Sequence, residues 1–390
     1  MGAAVFPHGP AMAAERLMGA RPVLLYGLAA ADLCTGASGR RALGALTMGG
    51  LLITGLAFGQ YAGLLSAWFP IFSQYDQPVY SVFGNQNFLG GYLAVCAGIA
   101  LGAAAGSFGQ ALDRARVNLR PGLWLTAAGV LSSGVMLSAS RTALLALAAA
   151  GGVALSQAAV SCSRDQRVRC TASFFGGVLA YGGFLTGCVI LLFIFLSGNA
   201  GLRVKLLHSF SAADTGWQVR WWLWLGTLRG WLEHPLTGMG WNRFVLAAPV
   251  LLGEALWHGA SRFAGNPLLA DTTHSEPLQL LAETGLLGSL LLLLIAVFIL
   301  RRVGLSPAVL PALSAFGVFS LFNSPLRDPA FGLAGLVLLL FRPAHPGNAG
   351  VHPSPDGAKT VGWSMAIRLG PGCLALICAG IAWGGVVLPG

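Results

Sequence analysis

The 390-residue sequence is poor in charged side chains, since only 9% of its residues are Asp, Glu, Lys or Arg. A water-soluble domain carries about 25% of these residues. Hydrophobic residues instead make up 55% of the chain, and the mean hydropathy is +0.72. So few charges cannot cover a water-soluble surface, so most of the chain must face lipid or other apolar helices. This composition excludes soluble enzymes and disordered tails.

Motifs for metals, nucleotides and nucleic acids are also absent. The seven cysteines include no Cys-x-x-Cys pair, and the chain has no Asp-x-Asp, no Gly-x-x-x-x-Gly-Lys-Ser/Thr and no His-Glu-x-x-His. We therefore expect neither a metal nor a cofactor. The net charge of +10 comes from basic residues scattered in ones, twos and threes, not from a basic stripe. It predicts contact with membrane lipid and no nucleic-acid partner.

Ten apolar stretches are predicted to cross the membrane, because about 20 helical residues span an apolar core of about 30 Å. Lipid offers no partner to an unpaired backbone group, so helices are expected. The fold class is then all-α, a polytopic transmembrane helix bundle of about 10 spans with a large, partly helical periplasmic loop. The sequence divides into an N-terminal bundle (1–197), this loop (198–276) and C-terminal helices (277–390). The predicted spans are 22–37, 42–66, 88–106, 122–138, 142–160, 173–197, 277–300, 307–323, 329–341 and 370–388.

Basic residues in the short loops are distributed unequally between the two sides of the membrane. With the long loop left out, one side carries thirteen and the other four, which makes the first side cytoplasmic. Both termini, the 138–142 turn and the long loop are then predicted to face outward. The thirteen are Arg40, Arg41, Arg114, Arg116, Arg120, Arg164, Arg167, Arg169, Arg301, Arg302, Arg342, Lys359 and Arg368; the four are Arg16, Arg21, Arg141 and Arg327.

The long loop contains seven of the eleven tryptophans. Trp217, Trp221, Trp224, Leu228 and Trp231 recur at helical spacing on one face. Because Trp favours the headgroup region, this stripe predicts a helix that lies along the outer membrane surface. Plain anchoring of that helix is the alternative to a functional role for the stripe.

Two arginines on the predicted outer face are candidates for binding an anion. Arg141 ends Leu-Ser-Ala-Ser-Arg in a short turn, and Arg220 opens Arg-Trp-Trp on the interfacial helix. An arginine at membrane depth is costly unless it meets an anion or a polar cavity, and its planar fork matches phosphate oxygens. The pair indicates a site for a lipid-linked phosphate or diphosphate. Snorkelling to headgroups is the alternative for either arginine alone.

A histidine on the same face is a candidate general base. His274 lies in Asp-Thr-Thr-His-Ser-Glu-Pro, and Pro277 suits the first turn of the next helix. An imidazole at this boundary can accept a proton from a hydroxyl nucleophile at neutral pH. A structural role is the alternative for a lone histidine. Asn85, Asn87 and Glu276 lie on the same predicted face as supporting residues.

Four blocks of the sequence together resemble the O-antigen ligase and O-antigen polymerase family of bacterial membrane glycosyltransferases. They are Gly-Asn-Gln-Asn-Phe-Leu-Gly-Gly-Tyr-Leu at 84–93 and Ser-Ala-Ser-Arg-Thr at 138–142, followed by a third and a fourth block. The third runs from Arg-Trp-Trp at 220–222 to Glu-His-Pro-Leu-Thr-Gly-Met-Gly at 233–240. The fourth is His-Ser-Glu-Pro-Leu-Gln-Leu-Leu-Ala-Glu-Thr-Gly-Leu-Leu-Gly at 274–288. The blocks follow the family order, with the long loop between the last two.

The resemblance implies a reaction and roles for three residues. Such enzymes take a glycan from undecaprenyl-pyrophosphate at the periplasmic face of the inner membrane and pass it to a hydroxyl, without a metal and with inversion. By matching positions, Arg141 and Arg220 would hold the pyrophosphate and His274 would be the catalytic base. The acceptor would be a glycolipid (lipid A-core), a glycan repeat or a protein, so ligase, polymerase and protein O-oligosaccharyltransferase activities all stay open.

The sequence departs from the family pattern in two respects. Ser275 stands where the family usually has Asn, and only two predicted spans precede the first block where several are common. A transporter of lipid-linked saccharides is the alternative from another class, because it would also need arginines for pyrophosphate. It predicts inverted repeats and charges along an inner cavity. No internal repeat is found, and the apolar spans hold few charges, Asp32 and Glu283 among them.

Overall fold

The computed structural model describes residues 36–65, 79–114, 120–163, 215–251, 272–303, 306 and 308–341. All regular elements in these ranges are helical, which agrees with the predicted all-α class. Two short 3₁₀ turns, Ser81–Phe83 and Pro325–Arg327, join longer helices. The helices are α1 (Gly36–Tyr61), α2 (Gln86–Arg114), α3 (Arg120–Leu137), α4 (Arg141–Ser163), α5 (Thr215–Glu233), α6 (Phe244–Leu251), α7 (Glu276–Val303), α8 (Leu310–Phe322) and α9 (Pro329–Leu340).

Seven of the ten predicted spans coincide with described helices, namely α1 to α4 and α7 to α9. The predicted spans at 22–37, 173–197 and 370–388 lie almost wholly outside the described residues. Within the described ranges, three helices are long and apolar enough to cross a membrane: Gly39–Tyr61, Gln86–Gly106 and Glu276–Arg301. The total of about ten spans stays a prediction.

Helix α2 lies at the centre of the bundle and packs against α1, α3, α4 and α8. Every residue from 89 to 102 is buried, as expected for a helix that is apolar all round. Small residues allow the close approach to α8: a Cβ at Gly98 would lie only 2.7 Å from the Cα of Ala312. Sequence segments from both sides of the long loop therefore share one core. The proposed division at 197 and 276 stays a prediction.

Phenylalanines on α8 and α9 fill the core beside α2. Phe319 and Phe331 are fully buried and meet edge to face, with their ring centroids 5.0 Å apart. Phe319 also packs against the backbone of α2 at Gly91, where an added Cβ would lie 2.5 Å from its ring. These contacts hold the connection between α8 and α9, residues 323–328, at the same end of the bundle as the start of α2.

Helix α7 is broken at Gly285, which has φ 66° and ψ −172°. In a continuous helix the amides of Leu286 and Leu287 would donate to the carbonyls of Ala282 and Glu283. Here they donate to Pro235 and Leu236, at 2.9 and 3.1 Å. The predicted span at 277–300 is thus not one continuous helix, and this corrects the sequence interpretation.

The two carbonyls released by the break are also satisfied by the loop at 235–240. Met239 donates to Ala282 and Gly240 to Glu283, each at 2.9 Å. The loop therefore replaces both missing helical hydrogen bonds with four of its own, and no released backbone group stays unpaired at this depth. The glycine-containing segment at 238–240 is therefore a turn that completes a broken helix.

Candidate functional site

The turn that carries Arg141 is fixed to the start of α2. Ala139 in this turn has φ 52°, and Arg141 is the half-buried first residue of α4. The Ser140 hydroxyl donates to Asn87 Oδ1 at 2.8 Å. The structure thus brings Asn87 and the Arg141 turn together, as the shared face predicted. Asn85 is exposed, and its Oδ1 accepts a hydrogen bond from the amide of Asn87 at 2.8 Å, so it caps α2.

One residue that the sequence analysis missed connects this turn to the start of α7. The Asn323 side chain donates from Nδ2 to the Thr142 hydroxyl at 2.9 Å, and the backbone carbonyl of Asn323 accepts from the Glu276 amide at 3.0 Å. Glu276 in turn accepts through Oε2 from the amide of Leu326 at 3.1 Å. Asn323 and Glu276 are both buried. Glu276 therefore supports the connection between α8 and α9 and is the first residue of α7.

His274 lies two residues before α7 in a backbone conformation that side chains seldom adopt. Its φ is 52°, and the residue is half-buried. Such a conformation persists only where the surroundings impose it. The neighbouring Thr273 supplies that restraint: its amide donates to Gln279 Oε1 at 2.7 Å, and its hydroxyl donates to the carbonyl of Ser275 at 2.7 Å. The predicted position of His274 at the entrance of a helix is confirmed.

Helix α5 carries Arg220 and contacts the His274 segment through Trp224. The indole Nε1 of Trp224 donates to the carbonyl of Thr273 at 3.1 Å. Arg220 lies four residues earlier on the same helix face and is half-buried. The elements that carry Arg141, Arg220 and His274 are therefore joined: α4 packs against α8, α5 against α7, and Asn323 links α8 to α7.

The tryptophan stripe forms a helix as predicted, but its members differ in environment. Trp217 and Trp221 are 46% and 50% exposed, which suits contact with a membrane surface. Trp224 packs edge to face on Trp217 at 5.6 Å, besides its bond to Thr273. Trp231 donates to the carbonyl of Pro235 at 3.0 Å. Two of the indoles thus connect α5 to other parts of the protein, so plain anchoring does not describe the whole stripe.

An ion pair beside the break in α7 was not predicted as part of the site. Arg327 donates to Glu283 Oε2 at 2.6 Å, and the Glu283 side chain is 0% exposed. The guanidinium also donates to Asn242 Oδ1 at 2.9 Å and lies 5.3 Å from the ring centroid of Trp241. The signal in the sequence was the lone carboxylate inside an apolar span, which requires a partner. Arg327 had been counted only for membrane orientation.

The comparison with known families identifies this arrangement. The sequence model of the O-antigen ligase family matches residues 126–293. The matched segment belongs to the O-antigen ligase family. This O-antigen ligase domain begins inside α3, ends inside α7 and contains Arg141, Arg220 and His274. No curated protein matches the chain. Among the residues that the structure describes, no group of three or more His, Cys, Asp or Glu is placed to hold a metal ion.

The family and the helices together define the protein at a coarse level. They indicate a bacterial membrane protein with an activity of the O-antigen ligase or polymerase type. Asn87, Asn323 and Arg327 lie outside the matched segment but contact it directly. The candidate site therefore includes residues that the family match does not cover.

We expect Asn323→Ala to destabilise the protein. The substitution leaves the buried Thr142 hydroxyl without its donor and opens a small cavity, at a cost of about 2–3 kcal/mol in the free energy of unfolding. Ser320→Ala is the matched control, because the buried Ser320 hydroxyl bonds only to a carbonyl of its own helix. Thermal unfolding in detergent measures both. Equal midpoints for the two variants would contradict the bridging role of Asn323.

Proposed function

We propose that this protein transfers a glycan from undecaprenyl-pyrophosphate to a hydroxyl of lipid A-core, at the periplasmic face of the inner membrane. The observation that carries this proposal is the connection of three distant segments, those with Arg141, Arg220 and His274, by hydrogen bonds through Asn323 and Trp224. The family match supports the reaction class, of the O-antigen ligase or polymerase type. A polymerase and a protein O-oligosaccharyltransferase that use the same donor are the alternatives.

Arg141 and Arg220 bind the pyrophosphate of the donor in this proposal. Arg141 is the first residue of α4, so the positive end of that helix adds to its charge. Both side chains are half-buried, where a charged hydrogen bond to an anion is stronger than in water. Two guanidinium groups neutralise the negative charge that develops on the leaving pyrophosphate, which makes a metal unnecessary.

His274 acts as the general base. It accepts the proton of the acceptor hydroxyl while the acceptor oxygen forms a bond to the anomeric carbon of the glycan. The bond from that carbon to the pyrophosphate oxygen breaks in the same displacement, and the configuration inverts. The products are the glycosylated acceptor, undecaprenyl-pyrophosphate and a protonated imidazole, which then loses its proton to water.

The outward orientation follows from the predicted excess of basic residues on the opposite side. The connections at 138–140, 272–275 and 323–328 all belong to the hydrogen-bonded site. Arg141 and Arg327 are among the few basic residues assigned to that side. Exposed tryptophans of α5 at the same end of the bundle suit the membrane surface, where both the lipid-linked donor and a glycolipid acceptor reside.

Purified protein in liposomes tests the function. With a labelled glycan on undecaprenyl-pyrophosphate and lipid A-core as acceptor, we expect label to move into a glycolipid of higher mass in the absence of added divalent ions. Controls with a glycan repeat or a peptide as acceptor distinguish the polymerase and protein-glycosylating activities. Movement of the donor across the bilayer without a new glycosidic bond would instead establish transport and overturn the proposal.

A further inference from the structure

Both carboxylate oxygens of Glu283, the acidic partner in the Arg327–Glu283 ion pair, accept hydrogen bonds from protein groups. Glu283 Oε2 accepts from Arg327 at 2.6 Å and from the amide of Asn242 at 2.9 Å, and its Oε1 accepts from Gln279 at 2.8 Å. Arg327 meanwhile donates through both terminal nitrogens, to Glu283 and to Asn242. The buried carboxylate at 2.6 Å already offsets the charge of this guanidinium and would repel a phosphate beside it. The pair is therefore poorly suited to bind the donor.

The same pair controls the orientation of the Gln279 side-chain amide, which contacts Thr273, the residue before His274. Gln279 donates from Nε2 to Glu283 and accepts through Oε1 from the amide of Thr273 at 2.7 Å. A carboxylate can only accept, so Glu283 fixes which end of the Gln279 amide faces it. The oxygen must then face Thr273. If Glu283 is neutral or absent, the Gln279 amide can rotate. Its Nε2 donor can then face the amide of Thr273, which is also a donor.

Thr273 transmits this restraint to the backbone of His274. Its amide is held by Gln279, its carbonyl by Trp224 and its hydroxyl by Ser275. His274 itself has φ 52°, a conformation that relaxes unless its neighbours are fixed. Relaxation of this residue would move the imidazole away from the acceptor hydroxyl.

We infer that Arg327 is a positioning residue of the transfer reaction. Through Glu283, Gln279 and Thr273 it holds His274 in its strained backbone conformation, and it touches neither donor nor acceptor. The pair also fastens the residues after the 235–240 loop to the connection between α8 and α9, since Asn242 bonds to both partners. This inference rests on the proposed function.

A double-mutant cycle on the full-length protein in liposomes tests it. For Arg327→Gln, Glu283→Gln and the double variant, we expect kcat to fall about 10- to 100-fold, with the KM for the lipid-linked donor unchanged within twofold. The double variant should be no slower than either single variant, because all three remove one interaction. Gln279→Ala should lower kcat in the same way while the ion pair stays intact. Arg327→Lys should have an intermediate kcat, between about a tenth and a half of the wild-type value, because lysine keeps the charge but not the fork of donors.

Asp328→Ala is the matched control next to Arg327. Asp328 accepts from the amide of Phe331 at 2.8 Å and caps α9, so its loss destabilises the same connection without touching Glu283. We expect this variant to keep kcat when assayed below its unfolding midpoint. If it loses as much kcat as Arg327→Gln, general instability explains the effect and the inference fails. If the Gln variants do not accumulate, Arg327→Lys must still lower kcat at constant KM, and wild-type kinetics for it would count against the inference.

The remaining outcomes separate this inference from the proposed function. A tenfold rise of the donor KM in Arg327→Gln, with kcat preserved, would make Arg327 a donor ligand and overturn the positioning role alone. Wild-type kinetics in Arg327→Gln, with His274→Ala inactive in the same assay, would also overturn only the inference. A wild-type protein that forms no glycosidic bond, or an active His274→Ala, would overturn the proposed chemistry and the inference with it.

Discussion

Replacing His274 with alanine should lower the rate of glycan transfer about 10²- to 10⁴-fold, because this is the contribution of a positioned general base. The measurement is turnover of labelled donor in liposomes, at saturating donor and acceptor. His234→Ala is the matched control: His234 is exposed just after α5, and its hydrogen bonds to Trp231 and Gly238 are made by its backbone, which alanine keeps. Substantial turnover by His274→Ala at neutral pH would eliminate His274 as the base.

The arginines of the site should respond differently from His274 in the same assay. Loss of a guanidinium that binds both the donor and the developing charge raises KM and lowers kcat together. We expect Arg141→Ala and Arg220→Ala to lower kcat/KM for the donor by about 10²-fold or more. Arg229→Ala, an exposed position on the same helix as Arg220, serves as the control and should stay within about twofold of wild type.

Substitution of either glycine at the break in α7 should impair folding of the whole site. Gly285 and Gly238 both have positive φ, at 66° and 70°. A Cβ on Gly285 would lie 2.5 Å from the amide nitrogen of Gly238, and a Cβ on Gly238 would lie 2.5 Å from the carbonyl carbon of Glu283. Backbone strain and steric overlap add, so each alanine variant should lose about 3 kcal/mol or more in the free energy of unfolding.

The expected readout is a Tm lower by about 6–12 °C, or failure to accumulate in the membrane. Gly317→Ala is the control, because Gly317 lies in α8 with nothing within 4 Å of the added Cβ. The Gly317→Ala substitution should raise the free energy of unfolding by up to about 1 kcal/mol, because alanine favours the helix over glycine. Wild-type stability in Gly285→Ala would show that the 235–240 loop does not fill the break. Activity, where protein survives, should fall in parallel, since Glu283 and the loop form one unit.

Part of the site could be read from residue chemistry alone. Arg141, Arg220 and His274 stand out because a charged or titratable group in an apolar sequence is costly and needs a reason. The same principle marked Glu283 as unusual but could not name its partner. Arg327 lies 44 residues away beyond a further helix, and only the fold, which brings the two side chains to 2.6 Å, reveals the pair.

Asn323 shows why other contacts were beyond the sequence. An asparagine at the end of a helix ordinarily indicates a turn. Nothing in the local sequence shows that the side chain of Asn323 bonds to Thr142 while its backbone carbonyl bonds to Glu276. Such a bridge depends on how α4, α7 and α8 pack, which is set by the summed fit of many apolar side chains. The Phe319 and Phe331 contacts that set it are individually weak and not encoded in any motif.

By itself the sequence determined that this chain is a helical membrane protein, which residues are chemically able to handle a pyrophosphate and a hydroxyl, and the family to which its central segment belongs. Those properties depend on hydropathy and residue type, which are local. The tertiary structure decided that α7 breaks and that the 235–240 loop completes it. It also decided that Arg327 is linked, through the side chains of Glu283 and Gln279, to the amide of Thr273, the residue before His274. Backbone groups released in an apolar interior must find partners, and only the packed fold determines which distant segment supplies them.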